Sequence, residues 1–272
     1  MIPFDNSRLR QFRSLLFLPA SNPRAIEKAR TLDADLVILD LEDAVREEDK
    51  DSARAAAIEA TAQGFAGKPV AIRVNSKGSP HFGADYACVR KSKADYVVLA
   101  KVDTPKEIHD ARSLMERPVM AMIETPRGVL DAVAIARDAA AFIAGTNDLS
   151  ASLGIPDGAG RSGLAYALQR IVLAARAAGI AAFDGVYNRL ESDEGLAAEC
   201  VEGRAYGFDG KSVIHPSQIA TVNRIFAPSP QEVEAARRLI EAAGGGAERH
   251  DGRMIEDLHV AQARALLAKA GG

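Results

Sequence analysis

Two acids stand where acids are rarely tolerated. Glu124 closes the apolar run of MAMIETPRG (120–128), and Asp148 follows another in AFIAGTNDLS (141–150). An unpaired charge in an apolar segment is costly, so each must emerge at a surface or meet a positive partner. If the two carboxylates share one spot, repulsion raises a pKa unless a cation stands between them. Two chemistries answer that. One is an acid–base dyad sharing a proton. The other is a hard divalent ion such as Mg2+, held by two carboxylates with water and substrate oxygens completing an octahedron. No Cys/His cluster has zinc spacing, and the metal arrangement is the preferred reading. Arg73 of VAIRVN (70–75) would then clamp a substrate carboxylate, because a planar guanidinium binds carboxylates bidentately. Its ordinary alternative is an ion pair with Glu42 or Asp43 of LVILDLED (36–43).

These residues need elements to bring them together. Eight apolar or β-branched runs recur, at 13–20, 36–43, 70–75, 96–101, 119–125, 141–146, 180–187 and 211–216. Between them lie amphipathic, mostly Ala-rich stretches that read as helices, at 23–32, 47–62, 104–115, 127–138, 163–179, 193–207 and 216–226. Only 80–92 reads weakly as a helix. Asn22 or Ser21 would cap the first helix and Thr104 the helix that begins at Pro105. Runs too apolar to keep one wet face argue for parallel strands covered by helices. A (β/α)8 barrel and a doubly wound open sheet compete. The absence of G-x-G-x-x-G after the first strand, the count of eight and the length favour the barrel. Catalytic residues of a barrel gather at the C-terminal ends of its strands. Those ends carry Glu42 and Asp43, Arg73 and Asn75, Lys101, Glu124, Asn147 and Asp148, Asp184, and His215. Singly, each is ordinary, since a strand end is wet and a lone acid there caps the next helix. Across seven consecutive strands they predict one polar mouth. Residues 1–227 form the expected barrel domain, and 228–272 an appendage of two helices, a Gly-rich hinge (244–246) and a flap.

Composition excludes several classes. The chain has 272 residues, 47% hydrophobic and 26% charged, with a net charge of −3. No broad basic surface for nucleic acid or an anionic membrane is implied. No apolar run reaches membrane-spanning length, and the polar N-terminus lacks the apolar core of a signal peptide. Cys88 and Cys200 have no paired-ligand spacing and read as buried thiols of a reducing compartment. The expectation is a cytoplasmic protein.

The stretches RSLLFLPASNPR, ADLVILDLEDAV, AIRVN, AMIETPRG, GTNDLSASLG, FDGVYN and GFDGKSVIHPSQI follow one another in order from about residue 13 to 228. Together they resemble the citrate lyase β-subunit-like (CitE-like) proteins of the HpcH/HpaI aldolase superfamily, and are similar to malyl-CoA and citramalyl-CoA lyases. The resemblance implies a (β/α)8 barrel assembled as homotrimers or homohexamers, and Mg2+ on Glu124 and Asp148. It implies an oxo acid or substrate carboxylate on Arg73, with Glu42 and Asp43 supporting Arg73 and the waters of the ion. Phe17 and Pro19 would lie near the coenzyme A moiety, and Ile214 and His215 would line the thioester channel. The implied reaction is cleavage of a 3-hydroxy-3-carboxyacyl-CoA thioester to an α-keto acid and acetyl-CoA or propionyl-CoA. Thioester hydrolysis, a citrate lyase β subunit acting on an acyl-carrier-protein thioester, and a non-catalytic acyl-CoA binder are the alternatives. Lys101 is read as an ion pair at the mouth or as a contributor of the proton the enolate needs. Two positions depart from the pattern. In DGRMIED (251–257), Glu256 stands where the family's flap places a catalytic Asp, one methylene shorter. In FLPA, Ala20 replaces a glycine and adds a Cβ near the expected pantetheine path.

Overall fold

The computed structural model describes residues 7–190, 193–243, 248–250 and 253–271. Eight parallel strands close into a barrel, each neighbour in space being the neighbour in sequence. They are β1 (Ser14–Pro19), β2 (Leu36–Asp40), β3 (Val70–Val74), β4 (Tyr96–Leu99), β5 (Val119–Ile123), β6 (Ala141–Ala144), β7 (Ala181–Asp184) and β8 (Gly210–Val213). The ring closes where Ser14 of β1 registers with Lys211 of β8. Around it run α1 (Pro23–Ala29), α2 (Lys50–Gln63), α3 (Phe82–Lys91), α4 (Pro105–Met115), α5 (Pro126–Ile135), α6 (Thr146–Leu153), α7 (Ala165–Ala178), α8 (Glu194–Tyr206) and α9 (Pro216–Phe226). The run 80–92 that reads weakly as a helix is α3. The short helix α6 was not anticipated; its sequence, TNDLSASL, is too short and too rich in poor helix formers to announce itself.

Both faces of the strands are covered, which is why the runs are continuously apolar rather than alternating. Leu15, Phe17, Ile38, Val98, Met120, Ile143 and Phe183 belong to one buried cluster. Cys88 and Cys200 are free and buried, and burial pushes their thiols up to about 12 and about 11.

The chain divides into two compact units, with the break inside α9 between Asn223 and Arg224. The second unit holds α10 (Pro230–Ala242), an antiparallel pair β9 (Glu248–His250) and β10 (Arg253–Ile255), and α11 (Asp257–Ala270). The expected hinge at 244–246, with Asp251 and Gly252 of the flap motif, lies outside the described residues. No helix among the described residues is long and apolar enough to cross a membrane.

One predicted mouth residue faces elsewhere. Asp184 ends β7 but is fully buried, accepting from Arg161 Nη2 at 2.6 Å and Lys211 Nζ at 3.0 Å. Lys211 Nζ also reaches Glu199 Oε2 at 3.0 Å, and α8 comes close enough that a Cβ at Gly203 would crowd the Asp184 carboxylate. This cluster fastens α8 and the loop before α7 to the barrel. Removing one partner of a buried pair strands the other charge. Asp184→Ala should therefore cost about 3–5 kcal/mol in urea unfolding; an unchanged midpoint would contradict the assignment.

Candidate active site at the barrel mouth

The local sequence explains how Glu124 is presented. It sits between the end of β5 and Thr125, the N-cap of α5, whose hydroxyl accepts from Gly128 N at 2.9 Å. Pro126 takes the first helical position, where no N–H is needed. Gly128 lacks a Cβ because one would strike the Val102 carbonyl. Glu124 is thereby held at the strand's mouth end with its side chain buried to 1% exposure. Gly145, just after β6, leaves room for it, since a Cβ there would overlap the Glu124 side chain. Asp148 does not end β6. It projects from the first turn of α6, and the pair thus comes from a strand end and the helix after the neighbouring strand.

A cavity of about 430 Å³ opens at this end of the barrel. Phe17, Pro19, Asp43, Arg73, Glu124, Asp148 and Ile214, all expected at the site, line it. His215 is not in the wall; its Nδ1 lies 2.8 Å from Ser217 Oγ, which donates to Leu190 O at 2.6 Å. Asn75 is also turned away, donating to Leu41 O at 3.0 Å and Asp85 Oδ2 at 2.7 Å. The mouth is therefore narrower than the seven-strand convergence expected from sequence. Glu256 lies in the second unit as the exposed N-cap of α11, its backbone N–H donating to His259 Nδ1 at 3.0 Å.

The charges form a chain. Arg73 donates from Nε to Asp40 Oδ1 at 2.7 Å and from Nη2 to Asp40 Oδ2 at 2.5 Å. Its Nη1 stands 3.1 Å from Glu42 Oε2 and 3.6 Å from Met122 Sδ. The guanidinium lies over Phe17, 5.3 Å from the ring centroid. Burial would pull the Arg73 pKa down, but Asp40 and Glu42 outweigh it and raise it. One bidentate edge of Arg73 is thus already taken, by Asp40 rather than by Asp43 or a substrate, and its Nη1 is paired with Glu42, so a ligand at Nη1 would share it with that carboxylate. Asp40 escaped the sequence reading although the signal was present: it is a carboxylate closing the fully apolar run LVIL, the pattern that singled out Glu124. Its oxygens also accept from Glu42 N at 2.8 Å and Ala44 N at 3.2 Å, so it shapes the DLED turn as well. Asn188, outside the site reading, joins Asn147 across the rim through two amide hydrogen bonds of 3.0 and 2.8 Å.

Lys101 links the acids. Its ammonium pairs with Glu42 Oε1 and lies 3.5 Å from Asp43 Oδ1 and 3.9 Å from Asp148 Oδ1. Its backbone N–H donates to Glu124 Oε1 at 2.7 Å. Burial pushes the Glu124 carboxyl up to about 7; the Lys101 N–H opposes this, and the charges of Asp148 and Glu42 add to it. Glu42 is also raised, by burial first, with Arg73 and Lys101 opposing.

This donor set fits a hydrated divalent ion. Glu124 is a buried carboxylate with, among the described residues, one donor on it and a like charge beside it. Among the described residues no group of three or more His, Cys, Asp or Glu is placed to hold a metal. Two carboxylates with water and substrate oxygens would have to suffice, which is the habit of Mg2+.

A (β/α)8 barrel with acids and a buried arginine at its C-terminal mouth defines the class. Residues 13–216 match the HpcH/HpaI aldolase/citrate lyase family. The chain belongs to that family, and so to a superfamily of lyases and aldolases. It is 41% identical over 272 residues to (3S)-malyl-CoA thioesterase of Cereibacter sphaeroides, covering 95% of this chain and 94% of that one. It is 35% identical to the citrate lyase subunit beta of Leuconostoc mesenteroides, covering 98% and 95%. Mycobacterium tuberculosis CitE, solved with magnesium, acetoacetate and coenzyme A, superposes with a TM-score of 0.81 at 32% identity, over 97% of this chain and 100% of that one.

Two outcomes follow from the geometry. Gly145→Ala should displace Glu124 and lower divalent-ion affinity by at least about tenfold, because the added methyl occupies the carboxylate's own space; calorimetric titration with Mg2+ checks this, and unchanged affinity would contradict it. Glu124 binds its proton more tightly in the folded chain than in the unfolded one, from an ordinary 4.5 to about 7. In chelator, folding stability should therefore fall as pH rises from about 4.5 to 7 and level off above, relative to Glu124→Gln. The expected difference is about 3 kcal/mol, from roughly 1.4 kcal/mol per tenfold in proton affinity. Parallel pH profiles of urea unfolding for the two proteins would contradict this.

Proposed function

We propose that the chain is a Mg2+-dependent carbon–carbon lyase that cleaves a 3-hydroxy-3-carboxyacyl-CoA thioester into an α-keto acid and acetyl-CoA or propionyl-CoA. The observation that carries this reading is the convergence of Glu124, Asp148 and Arg73 on one cavity. Glu124 and Asp148 would hold the ion, and the fit of their donor set together with the magnesium-bound CitE relative supports that. Mg2+, when bound there, would polarise the substrate's hydroxyl and carboxylate oxygens. Arg73, fixed by Asp40, would orient the carboxylate through Nη1, in exchange for or alongside its present contact with Glu42, and so select the bond that breaks. The hydroxyl proton leaves, the adjacent C–C bond breaks, and its electron pair passes into the thioester enolate. That enolate must then gain a proton at carbon. Glu256, in the position of the family's flap acid, is the proposed acid–base group, reaching the site of a neighbouring copy in a homotrimer or homohexamer. Ile214, Phe17 and Pro19 would face the acyl and pantetheine portions, with His215 farther along the channel.

A second reading has its own support. The 41% identical relative is a malyl-CoA thioesterase, and water attacking the thioester carbonyl in the same cavity would release free thiol instead of a keto acid. A third form of the reading is a citrate lyase β subunit acting on an acyl-carrier-protein thioester, for which the likeness to a citrate lyase subunit beta is the ground.

The test is a panel of malyl-CoA, β-methylmalyl-CoA, citramalyl-CoA and citryl-CoA, assayed with and without Mg2+ for keto acid and for free thiol. Keto acid formation that needs Mg2+ and falls at least about a hundredfold in Glu124→Gln and Asp148→Asn is expected. Thiol release without keto acid would favour the hydrolase. Full keto acid formation in excess chelator would overturn the Mg2+-dependent lyase. In the condensation direction Arg73→Lys should raise the KM for pyruvate or glyoxylate.

A further inference from the structure

Lys101 follows β4 with a φ of +52°, in the left-handed region. Glycine would adopt that conformation without strain, yet the position carries a four-carbon stem and a charge. This conformation lets one residue meet both proposed ion ligands. Its N–H donates to Glu124 Oε1 at 2.7 Å, and its ammonium stands 3.9 Å from Asp148 Oδ1 while paired with Glu42. The Lys101 side chain is about one-third exposed, so its ammonium has room to move. A divalent ion on Glu124 and Asp148 would sit beside this positive charge. Like charges this close oppose one another, and both draw on the same carboxylates.

We propose that Lys101 is a built-in counter-cation of the ion site, stabilising its acids whenever no ion is bound and thereby holding the affinity for the divalent ion down. Lys101 is then a positioning residue, acting through Glu42 and Asp148 rather than on substrate. The inference rests on the assignment of the ion to Glu124 and Asp148 made above.

The probe is Mn2+ alone, with the free ion followed by electron paramagnetic resonance in the full-length protein. Lys101→Met removes the charge and keeps the stem. Lys101→Gly removes the charge and relieves the left-handed backbone, so it guards against a variant that fails to fold. Both should bind Mn2+ about tenfold more tightly than wild type. In chelator Lys101→Met should melt below wild type, and saturating Mn2+ should close that gap, because the ion then supplies the missing charge. Unchanged or weaker Mn2+ binding in both variants, or a melting gap that persists with Mn2+, would overturn the inference. Glu124→Gln separates the two levels. If it binds Mn2+ as wild type does, the ion assignment itself falls. If it loses binding while the Lys101 variants match wild type, only the role of Lys101 falls.

Discussion

The mouth of this barrel is organised by a shortage of positive charge. Asp40, Glu42, Asp43, Glu124 and Asp148 line or border one cavity, and the cations among them are Arg73 and Lys101. Five carboxylates against two cations cannot all be balanced from within. Arg73 is spent on Asp40 and Glu42, and Lys101 chiefly on Glu42. The deficit falls on Glu124, which among the described residues accepts one hydrogen bond, from the Lys101 N–H, and which burial pushes up to about 7 against the opposing charge of Arg73. A cation from outside would compensate such a carboxylate, and the proposed chemistry would be a use of that deficit.

The scaffold makes such an unfavourable cluster tolerable. Each acid is carried on an element fixed by contacts away from the mouth. Thr125 and Pro126 start α5 directly after Glu124, and the missing side chains of Gly128 and Gly145 allow the close approaches it needs. Lys50, buried behind β2, donates to the carbonyls of Leu41 and Glu42 at 2.7 and 2.8 Å and so holds the DLED turn. On the far side, Arg161 and Lys211 meet Asp184, Glu199 and Glu202, and these charges face one another rather than the cavity.

Much of this was legible in the sequence. The barrel follows from eight continuously apolar runs separated by amphipathic stretches, a pattern that strands buried on both faces must show. Glu124 was readable because a charge at the end of an apolar run demands an explanation. Asp40 carries the same signal three strands earlier, with two further acids just after it in the DLED stretch. Side-chain direction was the harder part. Asp184 and Asn75 end strands as Glu124 and Arg73 do, but whether a side chain turns to the mouth or to a covering helix depends on strand phase and on distant partners such as Lys211 and Asp85. Those partners lie on other elements, 10 residues from Asn75 and 27 from Asp184. The placement of Asp148 on α6 was likewise hidden by a short helix of weak propensity.

The balance of charge at Glu124 and Asp148 can be tested by diffraction. Crystals soaked in Mn2+ and measured at its absorption edge should show one strong anomalous peak per chain, bridging those two carboxylates at about 2.0–2.3 Å, a little beyond the distances usual for Mg2+. A peak elsewhere, or none at saturating Mn2+ with the mouth accessible, would contradict the account.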